Sequence, residues 1–201
     1  MEQLQTFIQL TRLNKPIGFF LLFWPCAWGL TLGYYFNNTS KLYLKYIILF
    51  FLGSILMRSA GCIFNDIVDK DLDKKVKRTK NRPIASGKIT ILNAFIYAVI
   101  LCLVALFILL QFNWLTIILG MTSMLLAFSY PFMKRITYWP QLFLGLTFNW
   151  GIIMGWTSIT NKVSTPAIIL YIAAIFWTLA YDTIYWTQHI IDDEIIGFKS
   201  I

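Results

Sequence analysis

The stretch YIILFFLGSILMRSAGCIFNDIVDKDLDKKVKRTKNRPIASGK, residues 46–88, decides the fold. It opens with an apolar run, Tyr46–Phe64, broken by the single charge of Arg58. Four carboxylates follow, Asp66, Asp69, Asp71 and Asp73, and then seven cations. A helix needs about 20 apolar residues to cross a hydrocarbon core. Tyr46–Phe64 therefore reads as a membrane span, and the charged segment after it as the loop where the chain meets water.

Five more runs of the same kind lie around it: Ile17–Phe36, Ile89–Phe112, Asn113–Met133, Ile136–Thr160 and Val163–Tyr181. Six spans make an all-α, polytopic transmembrane helical bundle, read here as a single domain over residues 1–201. Composition agrees. The chain is 58% apolar and 13% charged, against roughly 25% charged in an average soluble domain. That excludes a disordered chain and a nucleic-acid-binding domain in water, so the expected partner is a lipid bilayer and no nucleic acid. The net charge of +8 becomes a matter of topology. With the N-terminus inside, residues 1–16, 65–88, 134–135 and the C-terminal tail carry thirteen cations, and the opposite side carries Lys41, Lys45 and Lys162. Positive charge gathers on the cytoplasmic side of membrane proteins. The first span is too long for a signal-peptide core and no cleavage pattern follows it. Cys26, Cys62 and Cys102 sit in apolar stretches with no metal or disulfide spacing.

Eight of the nine acidic residues fall in two clusters at the cytoplasmic ends of the second and sixth spans. Taken as a continued helix, NDIVDKDLD places Asn65, Asp66, Asp69 and Asp73 on one face, at spacings of three and four. Asp71 lies about 200° around from Asp69 and points elsewhere. Oxygen ligands on one stripe repel one another unless a cation joins them, and Mg²⁺ accepts such ligands while leaving room for phosphate. Solvation by Lys70, Lys74 and Lys77 is the plainer alternative. The second cluster, YDTIYWTQHIIDDEIIG, puts Asp182, Tyr185, His189, Asp192 and Asp193 on another such face, with the only histidine of the chain among them.

Between the clusters, Arg78, Lys80 and Arg82 form a basic loop suited to a diphosphate, with anionic lipid as the competing partner. Pro83 and Gly87 are expected to set its turn. Arg58 is expensive inside a bilayer, about 2.5–3.5 kcal/mol on insertion scales. It lies seven residues before Asn65 on the same face, so it is expected to point into the bundle, as substrate ligand or as ion-pair partner. Two acidic sites, a basic loop and aromatic walls point to a metal-bound diphosphate with an apolar tail, an allylic diphosphate being the natural substrate.

The stretches MRSAGCIFNDIVDKDLD (57–73), RTKNRPIASG (78–87), SYPFMKR (129–135) and DTIY…DDEIIGFKS (182–200) resemble the UbiA-type membrane prenyltransferases, over the whole chain. The resemblance is strongest to the branch that acts on 4-hydroxybenzoate in ubiquinone biosynthesis. It implies nine helices, two cytoplasmic Asp-rich sites holding Mg²⁺, and transfer of a polyprenyl group from polyprenyl diphosphate to the ring of 4-hydroxybenzoate, ortho to the hydroxyl, in the inner membrane. It implies metal ligation by Asn65, Asp66, Asp69 and Asp73 at the first site and by Asp182 and Asp193, with Asp192 beside them, at the second. Asp69, Asp73, Asp182 and Asp193 are the implied catalytic carboxylates, and Arg135 the partner of the acceptor carboxylate.

Two departures stand out. His189 occupies a position where the family carries Asp, and Mg²⁺ prefers oxygen. The chain also ends at Ile201 where the family continues into three further helices, so a truncated domain is expected. Competing functions are a prenyltransferase with another acceptor (haem, homogentisate), a catalytically silent lipid- or quinone-binding fragment, and a cation- or proton-coupled transporter. Acids in mid-span would favour the last, and here they lie at the span ends.

Overall fold

The computed structural model describes residues 2–37 and 40–187. It is all-helical in those residues, with eight α-helices: α1 Glu2–Thr11, α2 Ile17–Asn37, α3 Tyr43–Val68, α4 Lys70–Asp73, α5 Ile91–Leu109, α6 Trp114–Ile136, α7 Pro140–Thr160 and α8 Thr165–Thr187. A 3₁₀ turn, Ser40–Leu42, leads into α3. Six of the helices, α2, α3 and α5–α8, are long and apolar enough to cross a membrane. They are the six expected spans. The differences lie at the ends. α3 begins three residues earlier and runs past Phe64 to include Asn65 and Asp66. α6 runs through Pro131, and α8 continues past Tyr181 to include Asp182 and Tyr185.

The ends have local causes. Thr90 caps α5 by accepting a bond from the Asn93 amide, and Asn113 caps α6 by accepting one from the Thr116 amide at 3.0 Å. The amide of the Asn113 side chain also donates to Thr157 O at 2.7 Å and Ser158 O at 3.0 Å, which ties the start of α6 to the end of α7. Asn161, left-handed at φ 51°, ends α7.

α7 is the centre, packed against α2, α6 and α8. Its twelve buried residues contrast with the outer helices. On α5 the buried positions are Ala94, Ala98 and Ala105, small enough for close approach to α3. Phe107 (73% exposed), Leu125 (74%) and Trp177 (67%) face outward. Apolar surface of that extent belongs against lipid, where helices also satisfy their own backbone.

The tightest crossing is α2 on α7. Gly29 and Gly33 on α2 face Gly151 and Gly155 on α7, each pair spaced by four. A Cβ on Gly29 would run into the carbonyl of Ile152, and one on Gly155 into that of Cys26. With lipid tails as apolar as the side chains, association inside a bilayer relies on such close packing and on interhelical hydrogen bonds. Those bonds are present. Trp150 Nε1 donates to Leu119 O at 2.9 Å, joining α7 to α6. Asn149 Nδ2 donates to Ala174 O at 3.1 Å and to Thr178 Oγ1 at 2.8 Å, joining α7 to α8.

Gly29→Ala should therefore destabilise the detergent-solubilised protein by at least the about 1–3 kcal/mol of core overpacking, because the opposing atoms are backbone. Gly61→Ala meets nothing within 4 Å and should leave the thermal midpoint unchanged or slightly raised. Equal midpoints for the two variants would remove the α2–α7 contact as the organising crossing.

Candidate active site

The end of α3 carries the acidic face. The helix breaks at Asp69, whose backbone sits at φ −93°, ψ 8°, and resumes as the short α4. The expected unbroken helix is thus interrupted, yet its phase survives. Asp69 N donates to Asn65 O at 2.9 Å and Asp73 N to Asp69 O at 2.8 Å, so the i, i+4 ladder continues across the break. Asp66, Asp69 and Asp73 are 1%, 4% and 7% exposed, with Asn65 half-buried beside them. The Asp71 side chain is 86% exposed and pairs only weakly with Lys74, at 3.2 Å. The face separates the four acids as the helical spacing requires.

Buried carboxylates need compensation. Arg82 Nη1 donates to Asp66 Oδ1 at 3.1 Å and to Asp73 Oδ2 at 2.8 Å, bridging the two. Arg12, at the end of α1, donates through Nη2 to the same Asp66 Oδ1. Asn65 Nδ2 donates to Asp69 Oδ2 at 3.2 Å. Burial lifts the Asp73 carboxyl above the ordinary carboxylate range, and the Arg82 charge and hydrogen bond pull it back only in part.

The basic loop owes its shape to these acids. Thr79 Oγ1 donates to Asp73 O at 2.9 Å, and Arg82 N to Thr79 O at 2.9 Å. Pro83, Ile84 and Ala85 are buried, Ile84 in a cluster with Leu10, Ile63, Ala94 and Ala98. Gly87, at φ 78°, makes the turn toward α5. The loop is folded down onto the bundle with Arg82 turned in, while Arg78 and Lys80 are exposed.

Arg58 points into the bundle as expected. Its guanidinium lies against Gly18 of α2 and over the Phe148 ring of α7, 5.8 Å from the centroid. Tyr130 of α6 is within electrostatic reach of Asp69, Asp182 and Arg58. Tyr130 is thus the residue on which both the first acidic face and the Asp182 end of α8 act. Asp182 is half-buried and Tyr185 is 58% exposed. His189, Asp192 and Asp193 lie outside the described residues, as does the side chain of Arg135, whose backbone closes α6.

Among the described residues no three carboxylate, imidazole or thiol groups converge closely enough to hold one metal ion as they stand. The guanidiniums of Arg12 and Arg82 take up the negative charge where a metal was expected to do so. The donor set nevertheless suits Mg²⁺, which takes oxygen ligands. Asp66 Oδ2 is used by neither guanidinium, and the Asn65 bond to Asp69 employs its nitrogen, leaving its carbonyl oxygen out of that bond. Arg12 is the site residue that the sequence reasoning missed. It counted there only as one of the inside cations.

A model of the family described as UbiA prenyltransferase matches residues 22–201. The chain belongs to the UbiA prenyltransferase family. It is 47% identical to the mitochondrial 4-hydroxybenzoate polyprenyltransferase of Arabidopsis thaliana, over 99% of this chain and 49% of that one. It is 48% identical to the protein of the same name from Caenorhabditis elegans, over 98% of this chain and 55% of that one. The chain thus spans about half the length of the curated relatives it matches. Its fold is that of the UbiA homologue from Archaeoglobus fulgidus solved with GPP and Mg²⁺, at a TM-score of 0.76 and 17% identity, over 97% of this chain and 67% of that one. It is a multi-pass integral membrane protein of this family.

Arg82→Ala leaves two buried carboxylates facing each other. It should lower stability by about 3 kcal/mol, the low end of the range for breaking a buried pair, since the guanidinium is 27% exposed. Lys74→Ala, in the exposed pair, should stay within about 0.5 kcal/mol of the parent. Denaturation of both variants in one detergent tests this, and equal stabilities would deny the bridge its structural role.

Proposed function

We propose that this chain, as a single transmembrane domain, transfers a polyprenyl group from polyprenyl diphosphate to the ring of 4-hydroxybenzoate, ortho to the hydroxyl, in ubiquinone biosynthesis, with Mg²⁺ as cofactor. The observation that carries this is the buried, arginine-bridged carboxylate face of Asp66, Asp69 and Asp73 at the end of an apolar span. The names of the relatives supply the acceptor, and the archaeal neighbour supplies the precedent for a prenyl diphosphate with Mg²⁺ in this fold. We place the protein in an inner membrane, its acidic face on the cytoplasmic side where thirteen cations gather.

Asn65, Asp66, Asp69 and Asp73 would hold one Mg²⁺, and Asp182, Asp192 and Asp193 a second, with His189 beside them. Bound there, the metal would neutralise the diphosphate and make it a better leaving group. Arg82 is already in place between two carboxylates, and with Arg78 and Lys80 it takes the phosphate oxygens. Arg58, turned into the bundle, and Tyr185 are assigned to the same substrate. The allylic C–O bond breaks, its electron pair leaving with the diphosphate. A ring π pair forms the new C–C bond at the carbon ortho to the hydroxyl, and the proton on that carbon passes to the released diphosphate, restoring the aromatic ring. Arg135 holds the acceptor carboxylate. The apolar tail lies among aromatic side chains open to the bilayer, which also keep water from the allylic cation.

Asp69→Ala and Asp73→Ala should each reduce transfer at least a hundredfold, while Asp71→Ala stays within about threefold. Prenylated product measured in reconstituted vesicles tests this, and exhaustive chelation should abolish it. Undiminished transfer after chelation, or an Asp71 variant as impaired as Asp69, overturns the assignment.

Arg135→Ala should raise KM for 4-hydroxybenzoate at least tenfold more than KM for the prenyl diphosphate, through loss of a charge-assisted bond to the acceptor. Steady-state kinetics with each substrate varied separately tests it, and an effect confined to the diphosphate would assign Arg135 to the other pocket.

A further inference from the structure

The amphipathic helix α1 is not one of the spans, yet it ends in the acidic site. Leu10 is fully buried, in the cluster with Ile63, Ile84, Ala94 and Ala98. Phe7 meets the Tyr97 ring edge-on, 5.5 Å between centroids. Thr11 is 2% exposed, its hydroxyl donating back to Phe7 O at 2.7 Å. The next residue, Arg12, is left-handed at φ 55°, a conformation that non-glycine residues rarely hold unless their surroundings impose it. Its guanidinium reaches Asp66, 54 positions along the chain. Arg82 approaches the same oxygen but shares its nitrogen with Asp73. Arg12 is thus the partner that belongs to Asp66 alone. Both guanidiniums hold Oδ1, so the carboxylate is pinned from two sides with Oδ2 left out of both bonds.

We propose that Arg12 is a positioning residue: through Asp66 Oδ1 it fixes the carboxylate that presents Oδ2 to the ligand, and through the same bond it seats α1 over the acidic face. The metal-binding half of this statement rests on the function proposed above, and the seating of α1 does not. Partners that orient a metal-ligating group raise affinity by about 10–100-fold, although Arg12 also carries a charge that opposes a cation. Orientation and electrostatics therefore predict opposite signs, which a single variant separates.

The test uses the full chain in lipid nanodiscs with Arg12→Gln, Arg12→Lys, Asp66→Asn and the Arg12→Gln/Asp66→Asn pair. Amide exchange over residues 7–11, measured without metal, reads the seating of α1. Each single loss should speed exchange about tenfold, and the double variant no further, since both remove the same charge-assisted pair. Arg12→Lys should restore most of the protection, because one nitrogen makes the contact. Mn²⁺ binding followed by electron paramagnetic resonance reads the orientation of Asp66. Its affinity should fall about tenfold in Arg12→Gln and recover in Arg12→Lys. Additive exchange effects, parental exchange in Arg12→Gln, or an unchanged or tighter Mn²⁺ affinity would overturn the proposal. Failure of the parent protein to bind Mn²⁺ at all would count against the metal half and the proposed function together, with α1 seating then decided by exchange.

Discussion

A carboxylate buried where an apolar helix meets water has to be neutralised, and most of the architecture at this end of the bundle follows from that. Asp66 and Asp73 lie at 1% and 7% exposure, and unpaired they would cost several kcal/mol each. Arg82 and Arg12 are drawn in from opposite directions to meet them. Bringing Arg82 inward bends residues 74–90 back over the bundle, with Thr79 bonded to the Asp73 carbonyl and Ile84 buried beneath. Bringing Arg12 inward places α1 across α3. The loop and the first helix are shaped less by their own propensities than by the charges they serve.

The membrane half of the molecule answers a different constraint. Lipid provides no hydrophobic force between helices, so contact depends on surface that only small residues permit. Gly29, Gly33, Gly151 and Gly155 provide it for α2 and α7, and Ala94, Ala98 and Ala105 for α5 on α3. With α7 held rigidly between α2 and α8, Phe148 has a fixed place beneath the Arg58 guanidinium. Glycine packing deep in the bundle and arginine placement near its end are thus connected through one helix.

Much of this was legible in the sequence, for reasons of scale. Apolar runs of span length allow few alternatives, and all six helices stand where the runs place them, with ends displaced by polar residues that helices can carry beyond the bilayer. The acidic face was legible because side-chain direction in a helix follows from spacing: Asp71 points away and Asp66, Asp69 and Asp73 inward. The break at Asp69 was not, since it leaves the hydrogen-bond ladder intact and alters no periodicity. Nor was the Arg12–Asp66 pair, whose members lie 54 residues apart with no local signal joining them. The glycine crossing had a signal, two pairs spaced by four, that span counting passes over.

What separates this site from an ordinary solvated helix end is where its countercharges come from. Solvation would be supplied by neighbours on the same turn, as Lys74 serves the exposed Asp71. Asp66 and Asp73 instead draw on the far end of the loop and on a different helix, although Lys70, Lys74 and Lys75 are nearer in sequence. Lys75 lies on the other side of the helix, whereas Lys70, spaced four from Asp66 and three from Asp73, shares their phase and still leaves both carboxylates to the arginines. The arginines that do reach it present planar, multi-donor groups suited to sharing one carboxylate between two partners and to exchanging it for a phosphate of similar geometry. An acidic stripe neutralised by distant arginines, although lysines stand nearer in sequence, is held by the fold as a whole and not by its own turn of helix.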